Sequence, residues 1–161
     1  MTDIDYYSQC ESGMMALMRT LSDYFENEWQ VSNNENDMHR GAPNFLIFRP
    51  GRFPTISGPA NAGSLVKDFA WNMRADLYVS YTEYEQAWST FGAVRSAIIN
   101  LVGSNARFDR TVVIPNVVDA TVSGDSDPVY WMENGDQPKP NFILQSLRFV
   151  VVQRVTFKLA R

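Results

Sequence analysis

Chemistry-bearing residues are few, and their spacing argues against most reactive centres. Gly58-Pro59-Ala60-Asn61-Ala62-Gly63-Ser64 has the glycine spacing of a phosphate-binding P-loop. It lacks the lysine that must reach the β- and γ-phosphates, so it reads as a surface loop. Asp125 and Asp127, with Glu133 and Asp136 nearby, offer oxygen ligands for a hard cation. Their spacing does not supply the closing bidentate Glu of an EF-hand, and a solvated acidic turn accounts for them. His39, the single histidine, stands beside Arg40 in a polar loop with no nucleophile elbow around it. Cys10, the single cysteine, has no partner for an internal disulfide, and its acidic neighbours would raise its pKa, so an inert thiol is the reading. No catalytic residue, cofactor or metal is predicted.

Two basic-aromatic clusters remain: Phe48-Arg49-Pro50-Gly51-Arg52-Phe53 and Arg107-Phe108-Asp109-Arg110. Aromatic faces beside guanidinium groups can stack on single-stranded nucleic acid, and the same residue types are enriched at protein interfaces. The chain carries 14 basic against 18 acidic groups, a net charge of −4. That balance favours protein contacts over nucleic acid. The candidate interface residues are therefore Arg49, Arg52 and Phe53 in a first hairpin and Arg107 and Arg110 after the second helix. Trp131, Glu133 and Asp136, in an acidic excursion, complete the set.

The elements that must position these residues follow from periodicity. Met14, Leu17, Met18, Leu21, Tyr24, Phe25 and Trp29 form one helical apolar stripe. Asp23, Glu26 and Glu28 fall near the end of that helix, where the macrodipole disfavours acids. A polar loop follows, then a short strand over Asn44–Arg49. From Trp71, alternation predicts a half-buried strand. Met73, Ala75, Leu77, Val79 and Tyr81 point one way, and Arg74, Asp76, Tyr78 and Ser80 the other. Thr82-Glu83-Tyr84-Glu85 reads as a capping box opening a second helix, whose apolar face runs from Tyr84 to Leu101 and whose stop is Gly103. Glu83 and Glu85 are absorbed by that cap.

The last third is predicted as β-strand over 111–114, 117–122, 129–132 and from Phe142 onward. Leu144–Leu159 alternates longest, with Leu147, Phe149, Val151, Val155, Phe157 and Leu159 on one face and Arg148, Arg154 and Lys158 on the other. Gln153 interrupts the apolar face, as at a bulge or where the strand leaves the core. Such a strand spans roughly 50 Å, longer than a small core needs, which predicts that part of it projects or pairs outside its own domain.

At 161 residues, 45% hydrophobic and 13% aromatic, the chain is sized for one α+β domain with two principal helices packed on a mainly antiparallel sheet. Residues 1–11 read as a flexible terminus and 123–141 as an extended loop or hairpin. The amino terminus has no secretory pattern, and no stretch approaches the roughly 18–20 apolar residues of a membrane helix, so synthesis in the cytoplasm without membrane contact is expected. Charge is split. Residues 1–38 carry eight acids against Arg19 alone, while the remainder carries ten acids and thirteen bases. The split is either a solvated helix face or a pair of complementary surfaces for head-to-tail assembly.

A helix, a strand of the MRADLYVSY kind, the capped TEYEQAWSTFGAVRSAIINLVGSN and the closing LRFVVVQRVTF come in an order that resembles the tail terminator (tail completion) proteins of long-tailed bacteriophages. The resemblance covers most of residues 10–159 and rests on element order, size and texture rather than a motif. It implies an α+β fold and a non-enzymatic virion protein of the tail or neck, made in the host cytoplasm. Copies would form a six-membered ring on the finished tail tube, stop its growth and provide the head-joining surface. The partners implied are the chain itself, the major tail tube protein and a head–tail connector protein. Another neck or tail component, such as a connector or tube protein, is the alternative reading. A small-molecule enzyme on an α+β sheet is the alternative from a different class.

Overall fold

A computed structural model describes residues 6–25, 28–34, 43–49, 65–106, 108, 114, 116–132 and 141–156. In chain order the elements are α1 (Tyr6–Arg19), α2 (Ser22–Phe25), β1 (Trp29–Ser32), β2 (Asn44–Arg49), β3 (Val66–Ser80), α3 (Tyr84–Ser104), β4 (Val117–Gly124), β5 (Val129–Trp131) and β6 (Phe142–Thr156). The strands build one mixed sheet ordered β1-β2-β3-β6-β4. The β1–β2 pair is parallel and the other pairings are antiparallel. β5 pairs with the start of β6 and β4 with its later part, so β4 and β5 lie end to end along one edge. The fold is α+β, as the alternation predicts.

Period-two alternation sorts the two long strands onto two faces. Trp71, Met73, Ala75, Leu77 and Val79 of β3 share the inner face with Ile143, Leu147, Phe149 and Val151 of β6. Met14, Leu17 and Met18 of α1 and Phe91, Val94, Ile98 and Val102 of α3 close the same core. Each buried Val, Leu, Ile, Phe or Met side chain among them contributes roughly 1.5–3 kcal/mol, which holds both helices to this one side.

Several expectations change. The apolar stripe of residues 14–29 is not one helix. α1 ends at Arg19, and Trp29 lies in β1. The Thr20 hydroxyl donates to the Leu17 carbonyl at 2.6 Å. The Leu21 amide donates to the Met18 carbonyl at 3.2 Å, a tightened last turn. The Trp29 indole N–H then donates to the same Met18 carbonyl at 2.9 Å. Helix, turn and strand all pack on the core, so most of their apolar residues mimic one helical period, whereas Tyr24 of the stripe points to solvent. Asp23 falls in the first turn of α2, where the dipole favours an acid. At the other end α1 begins at Tyr6, so residues 6–11 are helical, and Cys10 is fully buried.

The long C-terminal strand does not project over its described length. β3 starts five residues before Trp71, and both β3 and β6 are 15 residues long. They pair rung by rung from Val66–Thr156 to Ser80–Phe142. Gln153 is 1% exposed and stays inside the core. Its Oε1 accepts the Trp71 indole N–H at 3.1 Å and faces Cys10 Sγ at 3.6 Å. A satisfied amide replaces the predicted break.

The capping box is not formed. α3 has Glu83 at its N-cap in extended geometry, with no side-chain cap bond, one residue later than the Thr82 reading. Its stop also moves: Gly103 is helical, and Asn105 caps the end by donating from Nδ2 to the Leu101 carbonyl at 2.9 Å. Within 123–141, Val129–Trp131 is a strand paired with β6. The expected strand at 111–114 lies outside the described residues except for the buried Ile114.

Candidate protein-interaction face

With both helices on the inner side, the opposite sheet face carries what β2, β3 and β6 point outward. Antiparallel register sets Arg49 of β2 opposite Arg74 of β3, and Arg74 opposite Arg148 of β6. Like charges directly across a sheet repel. Two carboxylates offset the repulsion from beneath. Asp76 accepts Arg49 Nε at 2.6 Å and the Ser146 hydroxyl at 2.7 Å. Asp125 bridges Arg74 Nε at 3.0 Å and Arg148 Nη2 at 3.1 Å.

Exposure separates the two signs. The arginine side chains are 48%, 55% and 46% exposed, whereas Asp76 is 7% and Asp125 17% exposed. The carboxylates lie below and the guanidiniums form the surface. Asp125 is held by the turn after β4. Its amide donates to the Ser146 carbonyl at 2.8 Å, and Gln145 Nε2 donates to the Ser126 carbonyl at 2.9 Å.

Beside this row, toward β5, the outward aromatics pack on one another. Phe45 and Tyr78 stack with centroids 4.7 Å apart, and Phe142 and Trp131 meet the Tyr78 ring edge-on at 5.8 and 6.0 Å. Phe45, Ile47 and Tyr78 are buried in this second small core, with Trp131, Phe142 and Leu144 partly buried against it. At the far end of the face, Arg154 pairs with Asp68 through Nε at 2.9 Å. That hydrogen bond, more than the charge alone, holds the Asp68 carboxyl below its ordinary value.

Of the residues singled out by sequence, Arg49 and Trp131 come to this one face, Arg49 in the arginine row and Trp131 in the aromatic cluster. Arg52, Phe53, Arg107, Arg110, Glu133 and Asp136 lie outside the described residues. One aromatic of each basic cluster serves the core instead: Phe48 is fully buried and Phe108 is 1% exposed. Phe108 also adopts a left-handed φ of 54°, a conformation costly for a bulky residue that its burial must offset. Sequence reading missed Arg74, Arg148, Asp76 and Asp125 as a group. Alternation already put Arg74, Asp76 and Arg148 outward, but not side by side.

Open concavities also lie among the described residues. A groove of about 300 Å3 between α2 and α3 is lined by Leu21, Tyr24, Ala97, Asn100, Leu101 and Ser104. A second, of about 260 Å3, lies by the end of β6 and includes Tyr6, Gln9 and Arg154. Among the described residues no group of three or more His, Cys, Asp or Glu is placed to hold a metal ion, and no helix is long and apolar enough to cross a membrane. Burial pushes the Cys10 thiol up to about 12, so what disfavours its thiolate is desolvation rather than acidic neighbours. No protein-family model matches the chain, and no curated protein matches it.

Proposed function

We propose that this chain is a structural virion assembly protein, a tail terminator. Its copies form a ring, six-membered by the resemblance, on the end of the tail tube. The ring blocks addition of further tube subunits and offers the head-joining surface, so the mechanism is steric and adhesive. The observation that carries the reading is the arginine row, with guanidiniums outermost and their carboxylates, the buried Asp76 and the partly buried Asp125, beneath. Such a surface is built to meet another surface, since Arg and aromatic residues contribute most at protein interfaces. The partners are further copies of the chain, the tube protein and a head–tail connector.

The β4–β5 edge favours a second reading. It carries Val118, Val129 and Tyr130, which are 39%, 52% and 47% exposed. An edge strand with exposed apolar side chains can pair with the next subunit, as a polymerising tube or connector protein would require. One experiment separates the readings. The purified chain is added to polymerising tube protein encoded by the same genome, and the products are imaged by negative stain. A terminator leaves one ring at a tube end and shortens the tubes in a dose-dependent way. Tubes built from this chain alone would support the second reading. Unchanged tube lengths with bare ends would overturn the first.

A further inference from the structure

We infer that Arg74 and Arg148 form a carboxylate-binding site that receives the acidic α2 turn, Asp23 with Glu28, of a neighbouring copy. Each arginine spends one nitrogen on Asp125: Arg74 its Nε and Arg148 one Nη. Both side chains remain about half exposed, at 55% and 46%, so the pair is open to a further ligand. A guanidinium has five N–H donors in a planar fork that fits a carboxylate with two parallel bonds. Two cations share one anion here, so the pair keeps an excess of one positive charge. A second carboxylate above the sheet would balance it.

Charge and placement identify the occupant. Residues 1–38 hold eight acids and one base, and within them Asp23 and Glu28 are exposed. Tyr24, between them, is 78% exposed, the most of any large hydrophobic side chain described. An exposed tyrosine flanked by acids matches an arginine pair in the residue types that dominate interface energetics. Leu21 and Phe25 anchor α2 in the helical layer on the inner side of the sheet, whereas Arg74 and Arg148 point out of the opposite face. One molecule cannot join its own two patches. Two copies can, and the contact is heterologous, which generates a ring if the rotation closes. The choice of a second copy as partner rests on the ring-forming reading above.

The test is a charge swap read by sedimentation velocity and negative stain. One variant carries Arg74→Glu with Arg148→Glu; the other carries Asp23→Lys with Glu28→Lys. Each alone juxtaposes like charges and should self-associate at least about tenfold more weakly than the unaltered chain. Mixed one to one, acidic sheet faces meet basic α2 turns and basic sheet faces meet acidic ones, so alternating assemblies should return. The Asp23/Glu28 variant alters only exposed positions, so it tests the contact even if the Arg74/Arg148 variant fails to fold. Assembly of the Asp23/Glu28 variant at unaltered strength overturns the inference, as does a mixture of two folded variants that does not recover. In either case a ring formed by the unaltered chain leaves the terminator reading standing. An unaltered chain that self-associates neither in solution nor on tube ends would remove both. Normal self-association with lost tube binding in the Arg74/Arg148 variant would assign the site to another protein's acidic surface and also overturn the inference.

Discussion

Gln153 shows how one polar residue can sit within an apolar strand face without breaking it. Its carbonyl serves Trp71 and Cys10 across three elements. Gln153→Leu keeps the volume but leaves the Trp71 indole N–H, on a side chain only 6% exposed, without this acceptor. We expect a loss of about 1–3 kcal/mol, the cost of a buried donor deprived of its bond, measured by urea denaturation. Stability unchanged within about 0.5 kcal/mol would show that the amide is not needed. Cys10, beside it, behaves as a small apolar side chain. Its pKa rises from 9.0 to about 12 on folding, so the neutral thiol is the form the native state prefers. The stabilisation this provides is complete below the unfolded pKa and is lost as pH climbs from about 9 towards 12. Native protein at pH 8 should therefore resist a disulfide reagent and react stoichiometrically once unfolded. Rapid labelling of the native chain would contradict this burial.

At the scale of elements, sequence legibility followed the length of the repeating pattern. β3, β6 and α3 repeat their period over many residues, so their type was plain in the sequence, whereas their ends were not. The start of β3, Val66 to Ala70, carries Lys67 and Asp68 and has little alternation. Its strand state is fixed by pairing with Val152–Thr156 of β6. The helix ends depend on which groups reach free backbone amides and carbonyls, and a shift of one residue moved the N-cap from Thr82 to Glu83. The turn after β4 joins an element to the candidate face. A Cβ at Gly124 would lie 2.8 Å from Gln145 Nε2, whose bond to the Ser126 carbonyl holds the segment bearing Asp125. Gly124→Ala should therefore cost about 1 kcal/mol in a thermal or urea melt, the worth of that hydrogen bond. A melt indistinguishable from the unaltered chain would mean that Gln145 swings aside freely.

For the whole molecule, the decisive arrangement is two layers with different chemistry on their outer surfaces. The helical layer presents Asp23, Tyr24 and Glu28, and the sheet presents Arg49, Arg74 and Arg148. The contact proposed between these surfaces would join two distant patches of the fold, which is why the charge swap alters both together rather than one residue. The sequence by itself determined the α+β class, the long half-buried strands, the second helix and the outward side of each alternating residue, because these follow from local periods. It also set the charge split between residues 1–38 and the rest. Only the tertiary structure decided that three arginines stand in one row over two less exposed carboxylates, and that Phe48 and Phe108 belong to the core. Register joins strands far apart along the chain and is chosen by how their inner faces pack, so no local pattern encodes which outward residues become neighbours.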